Sequence, residues 1–151
     1  MTDAPAPSGQ PSRVVVGVDD SPAALRAARV AVAVAATAHC PLLVVTVLSD
    51  GVLARALGRA TSEPLTEQRR VAAAGSMVRH TVQLARDVGL DVEGREVEGS
   101  PGEALLTAAR RWGGDLVILG RNQAGAHTYG RVGGVALHVL ELSDVPVLVV
   151  P

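Results

Sequence analysis

The sequence predicts an α/β domain, a parallel sheet with helices on both faces. Val-rich runs of strand length alternate along the chain with segments of helical character. The runs are continuous rather than alternating, as strands buried on both faces require. Parallel strands in turn need right-handed crossovers between them, and the helical segments supply these. At 151 residues the chain fits one domain with a core of its own.

Each element follows from its residues. Met1–Ser12 is rich in Pro, Ala and Ser and lacks the basic start and apolar centre of a signal peptide. It reads as a disordered tail ahead of a domain over residues 13–151. Arg13–Asp19 (RVVVGVD) is the first buried strand. In the helix that follows, Ser21 can cap and Pro22 suits the first turn. Arg26 and Arg29 share its solvent side, while Leu25, Ala28 and Val32 fall on another face. Pro41–Leu48 (PLLVVTVL) is the second strand. Ser49–Ser62 is undecided, with Gly51 and Gly58 suggesting a loop and room for a turn of helix. Pro64–Gly89 supports a long helix closed by Gly89. Leu90–Gly99 alternates weakly and makes a third, more exposed strand. Ser100–Trp112 opens with Ser100 as cap, Pro101 first and Glu103 third, the pattern of a capping box. Asp115–Gly120 is the fourth strand, Gly133–Leu142 a helix and Val145–Val150 the fifth strand.

Composition removes several functions. Hydrophobic residues make up 48% of the chain but aromatics only 1%, so Val, Leu and Ala must build the core. Trp112 and Tyr129 are the only aromatics, which argues against modules that stack bases on aromatic platforms. A net charge of −1 offers no basic surface for nucleic acid. All 14 basic residues are arginine, so a P-loop lysine and a lysine nucleophile are excluded. The Arg, Ala and Val bias suits a GC-rich bacterial genome. Cys40 is the only cysteine; it reads as a small buried hydrophobe, with no internal disulfide or cysteine-based zinc cluster open to it. The apolar runs fall far short of the roughly 20 residues a membrane span needs. A cytoplasmic protein is expected.

In a doubly wound sheet, ligands sit beyond the carboxyl ends of the strands where the strand order reverses. That points to Asp19-Asp20-Ser21 after the first strand and to Gly120–Val132 after the fourth. Gly120, Gly125, Gly130, Gly133 and Gly134 let backbone amides approach a ligand, and the helix starting near Gly133 offers N–H groups to an anion. Arg121 and Arg131 stand ready to add charge. Equally, the glycines can serve tight turns alone.

These stretches together resemble the universal stress protein family, from Arg13 to Val150. The likeness is carried by VVVGVDDSPAALRAARVAV at the front and DLVILGRNQAGAHTYGRVGGVALHVLELSDVPVLVV at the back. It implies a Rossmann-like, adenine nucleotide alpha hydrolase-like fold with five parallel strands in the order 3-2-1-4-5, and a stress-response module without catalysis. The family's nucleotide-binding branch carries G-x2-G-x9-G-[ST] after the fourth strand. Its first and third glycines fall on Gly120 and Gly133, its second on Gln123, and its hydroxyl positions on Gly134 and Ala136. The resemblance places an adenine nucleotide against Gly17, Val18, Asp19, Val47, Leu119, Gly120, Asn122, Gln123, Gly133, Gly134, Val135 and Ala136. Asp19 lies beside the nucleoside and the Val47 backbone reads the adenine edge; magnesium enters only with the nucleotide.

The departures have a cost. Gln123 carries a Cβ where close approach to phosphate was wanted, and Gly134 and Ala136 keep amides but lose hydroxyls. A hydrogen bond to a charged group is worth about 1.5–3 kcal/mol, so losing one or two weakens ATP by roughly one to four decades. A ligand with fewer phosphates, AMP or cyclic AMP, suffers less. The alternative is a nucleotide-free regulatory protein acting through protein contacts. Asp19 itself has a second reading, as part of the helix cap with Asp20 and Ser21.

No catalytic set emerges. Ser21 lacks a nucleophile elbow and a base, and Asp19 and Asp20 point apart in an extended segment. The Asp-Asp-Ser-Pro turn lacks the Ser-Gly-Gly start of ATP-pyrophosphatase loops. His39 ends a helix, His80 lies mid-helix, His138 sits on the last helix, and only His127 lies in the glycine loop. No pair has metal-site spacing. A flavodoxin would want a hydroxyl-rich loop after the first strand and aromatics around the flavin. The fifth strand, an apolar edge, is expected to pair across a two-fold in a homodimer, although Pro146 could instead blunt it.

Overall fold

The computed structural model describes residues 9–48, 64–121 and 132–151. The Val-rich runs are its strands: β1 (Val14–Gly17), β2 (Leu42–Leu48), β3 (Val92–Glu98), β4 (Leu116–Gly120) and β5 (Val147–Val150). All pair in parallel, in the order β3-β2-β1-β4-β5. The register sets Val14 between Leu42 and Leu116, and Val117 beside Val147. Between the strands run α1 (Pro22–Ala38), α2 (Pro64–Asp87), α3 (Pro101–Trp112) and α4 (Gly134–Leu142). The strand order reverses between β1 and β4, as expected of a doubly wound sheet.

Alternate residues of each central strand feed two cores. Val14, Val16, Leu42, Val44 and Ile118 meet α1 and α2; Val15, Leu43, Val45, Val117 and Leu119 meet α3 and α4. The first core is built on alanine. α1 buries Ala23, Ala24, Ala27, Ala28, Ala31, Val32 and Ala35, so its axis can lie close to the sheet without ordering long side chains. Leu25, expected on that face, is only half-buried because the alanine stripe takes the sheet side. Cys40 is buried in this core, and burial, aided by the Asp115 carboxylate, holds its thiol above the usual range against a backbone hydrogen bond at Val14.

Capping differs from the sequence pattern in one place. Ser21 caps α1 as expected, accepting from the Ala24 N–H at 3.1 Å. Ser100 sits at the N-cap of α3 but makes no side-chain cap bond. Its expected partner Glu103 turns instead toward His138 on α4, 4.0 Å away. α2 closes as read, with Gly89 at φ +79° and its N–H donating to Arg86 O. His39 ends α1 in the left-handed region at φ 52°.

At the other end of the sheet, Asp115 anchors the start of the domain. Its carboxylate accepts from the Ser12 N–H at 2.8 Å, the Ser12 hydroxyl at 2.7 Å and the Arg13 N–H at 2.9 Å. Arg13 then lies over the Trp112 ring, 4.0 Å from its centroid. Ser12, placed by sequence in the tail, therefore belongs to the packed chain; residues 1–8 lie outside the described residues.

Burial alone would raise the Asp115 carboxyl, but the bonds from Ser12 and Arg13 outweigh it and hold the group below its usual value. A depressed folded value stabilises above the unfolded Asp range, about 3.9, and that stabilisation is lost as pH falls through the folded value. Denaturant titrations at descending pH should show Asp115→Asn less stable than the parent at neutral pH, with the gap narrowing in acid. A gap that stays constant with pH would contradict this.

Candidate functional site

The carboxyl ends of β1, β2 and β4 open on a cleft of about 250 Å³. Its geometry starts with β1. Past Gly17, the Val18 N–H still reaches Val45 O at 2.8 Å, so the chain follows β2 for one more residue before turning. Asp19 makes the turn, one carboxylate oxygen accepting from the Ser21 N–H at 2.8 Å. The two readings of Asp19 are thus compatible: it shapes the helix start and it lines the cleft. Asp20, which an extended segment would turn away, lines it as well.

The β4 side is fixed by a close approach. A Cβ on Gly120 would stand 2.9 Å from both the carbonyl carbon and the Cβ of Ala23, and 3.1 Å from its oxygen. Gly120 is therefore required by the seat of α1, a reason other than the ligand approach expected from sequence. The Arg121 N–H donates to Val150 O at 2.6 Å and the Gly133 N–H to Arg121 O at 2.7 Å, closing the base of the β4–α4 connection. α4 begins with Gly133 as N-cap and has no side-chain cap bond. The first-turn N–H groups and the positive end of such a helix suit an anion.

Of the residues expected at a ligand, Gly17, Val18, Asp19, Val47, Leu119, Gly120, Val135 and Ala136 line this one cleft. Gly133 and Gly134 stand at the start of α4 without lining it. Asn122 and Gln123 lie outside the described residues, as do Gly125, His127, Gly130, Arg131 and Ser49–Ser62. Sequence reasoning missed the walls that helices supply: Arg70, Val71 and Ala74 from α2, and Pro101 and Leu105 from α3. Leu105 reaches in because Gly17 has no side chain; a Cβ there would meet its Cδ2 at 2.8 Å. Also missed was Thr46, 1% exposed, whose hydroxyl finds no hydrogen-bond partner. A threonine inside PLLVVTVL was the available signal.

Among the described residues no group of three His, Cys, Asp or Glu could hold a metal ion. None of the described helices is long and apolar enough to cross a membrane.

Comparison with known proteins places this geometry in context. The model of the universal stress protein family matches residues 11–151. The fold is similar to that of a universal stress protein solved in complex with cAMP, at 27% identity and TM-score 0.66, covering 93% of this chain and 97% of that one. It is similar to the universal stress protein from Archaeoglobus fulgidus in complex with dAMP, at 24% identity and TM-score 0.66, covering 93% and 98%. It is also similar to universal stress protein UspA from Lactobacillus plantarum, at 20% identity and TM-score 0.77, covering 94% and 99%. Among curated proteins no match was found.

The two glycines flanking the β4–α4 connection should respond oppositely to alanine. Gly120→Ala forces a Cβ into the Ala23 backbone and should cost about 1–3 kcal/mol by denaturant titration. Gly134→Ala meets nothing within 4 Å among the described residues and should be neutral or stabilising. Equal effects at the two positions would contradict the packing described.

Proposed function

We propose that this chain, which belongs to the universal stress protein family, holds an adenine nucleotide weakly in the cleft and works by that binding rather than by catalysis. The observation that carries this reading is the placement of Asp19 and the start of α4 on one hollow with apolar walls. Val47, Leu105, Leu119 and Val135 give a base its apolar surroundings. A carboxylate at Asp19 accepts from ribose hydroxyls, and the first-turn amides of α4 face an anion. These groups fit an adenine nucleotide.

Two features favour AMP or cyclic AMP over ATP. The cleft, about 250 Å³, lies just below the usual range of ligand sites, about 300 to 1,000 Å³. Gly134 and Ala136 offer no hydroxyl to a polyphosphate. Magnesium accompanies a polyphosphate only. Calorimetry with ATP, AMP and cyclic AMP, with and without magnesium, should give heat for AMP or cyclic AMP and weaker binding of ATP. No heat with any of them at millimolar ligand overturns the reading. Among the described residues nothing stands within 4 Å of a Cβ at Gly134, so Gly134→Ser should tighten ATP by about tenfold or more.

A second reading, regulation through protein contacts in a cytoplasmic homodimer, has support of its own and is compatible with the first. β3 guards its edge with Glu93, Arg95, Glu96 and Glu98, whereas β5 ends the sheet with the uncharged VLVV. Leu148 on β5 is 39% exposed, and Leu137 and Leu140 are exposed on the neighbouring α4. Pairing of Val145–Val150 across a two-fold would cover this edge. Light scattering at tens of micromolar should give a dimer, and Leu148→Arg a monomer; a monomeric parent would contradict the pairing.

A further inference from the structure

Strand alternation sets Arg121 beside the start of α4. Along β4, Val117 and Leu119 face α3 and α4, Ile118 faces the α1 side, and a Cβ on Gly120 would point at Ala23 of α1. The Val117 N–H bonds Pro146 O and the Arg121 N–H bonds Val150 O, so the ladder to β5 still holds at residue 121. Arg121 therefore follows Leu119 onto the sheet face that α4 covers. Its carbonyl accepts from the N–H of Gly133, the N-cap of α4, at 2.7 Å.

Two positive features thus adjoin. The first turn of α4 holds no acidic residue, and Gly133 brings no side-chain cap bond. Arg121 Nε is buried without a hydrogen-bond partner, and no acid among the described residues pairs with the guanidinium. An arginine suits the end of a helix and is repelled by its start. Partial burial of a cation without a partner adds a desolvation cost. An anion between the guanidinium and the first-turn amides would bond to both and remove both costs. Like Gly133 and Gly134, Arg121 does not line the apolar hollow, but it directly follows Gly120, which does. That is the place for a charged group carried by a ligand whose base fills the hollow.

We propose that Arg121 binds the phosphate of the nucleotide, a guanidinium doing at the start of α4 what hydroxyls at positions 134 and 136 would otherwise do. The proposal rests on the reading of the cleft as a nucleotide site and names the side chain of this chain that takes the charge. A phosphate monoester, with close to two charges near neutral pH, gains more from Arg121 than the single charge of a cyclic diester. AMP is therefore favoured over cyclic AMP.

The test is calorimetry on the full chain with AMP, cyclic AMP and adenosine as separate probes, for the parent, Arg121→Gln and Arg121→Lys. The parent should bind AMP more tightly than cyclic AMP or adenosine. Arg121→Gln should weaken AMP by about ten- to a hundredfold, leave adenosine unchanged and erase the preference over cyclic AMP. Arg121→Lys keeps the charge and should fall between the two. Without ligand, Arg121→Gln should melt no lower than the parent, because it removes a cation from the positive end of a helix. If AMP binds the parent and Arg121→Gln equally, the proposal is wrong while the nucleotide reading stands. Equal losses of AMP and adenosine, or a melting temperature well below the parent's, would also overturn it, since the arginine would then be serving the fold. If neither AMP nor adenosine binds the parent, the nucleotide reading falls and the role of Arg121 with it.

Discussion

The seat of α1 on the end of β4 is the contact on which the rest of this structure depends. Ala23 comes so near Gly120 that no side chain of any size fits between them. That approach fixes the start of α1, and with it the Asp19–Ser21 turn, directly beside the β4–α4 connection. A helix held a methyl group further out would separate the acid from the start of α4. The alanine face of α1 extends the same logic along the helix, from Ala24 down to Ala35. Small residues permit the approach, and the approach builds the cleft.

A core almost without aromatics follows from the same economy. Two layers of Val and Leu, interleaved with Ala, fill both sides of the sheet, and Val14, Val15, Val16, Leu42 and Leu43 are fully enclosed. Such residues have little rotamer freedom to lose, and their close packing offsets their modest individual area. The contact of Arg13 over Trp112 lies at the opposite end from the cleft, next to the Asp115 anchor. Stability at the base of the sheet and ligand chemistry at its carboxyl edge are therefore carried by different residues.

Most of the architecture was legible in the sequence, because buried parallel strands announce themselves as Val-rich runs and their order follows from the resemblance to a known fold. Element ends were less so. β5 starts at Val147 rather than Val145, since Ser143 draws Val145 into a turn through bonds of 2.7 Å and 3.2 Å. The site was half visible. Residues on the strands or just past their ends, such as Val47, Leu119 and Asp19, could be placed because a strand's end is a fixed point in the fold. Arg70 and Leu105 could not, because a residue on a helix reaches a cleft only through the angle at which that helix packs. Gly120 has a second reason that the sequence hides: its partner Ala23 is distant along the chain, and only the packed structure shows the backbone it must clear. The capping box at Ser100 did not form: Ser100 makes no side-chain cap bond, and Glu103 lies 4.0 Å from His138 on α4.

The central claim is that Asp19, the end of β4 and the start of α4 act together on one small molecule. An amide NMR titration of the full chain with AMP tests it most directly. The account predicts shifts concentrated at Gly17 to Ser21, Thr46, Val47, Gly120, Val135 and Ala136, saturating together. Absence of shifts, or shifts centred on the far groove where Gln10 and Pro11 meet α1, would contradict it.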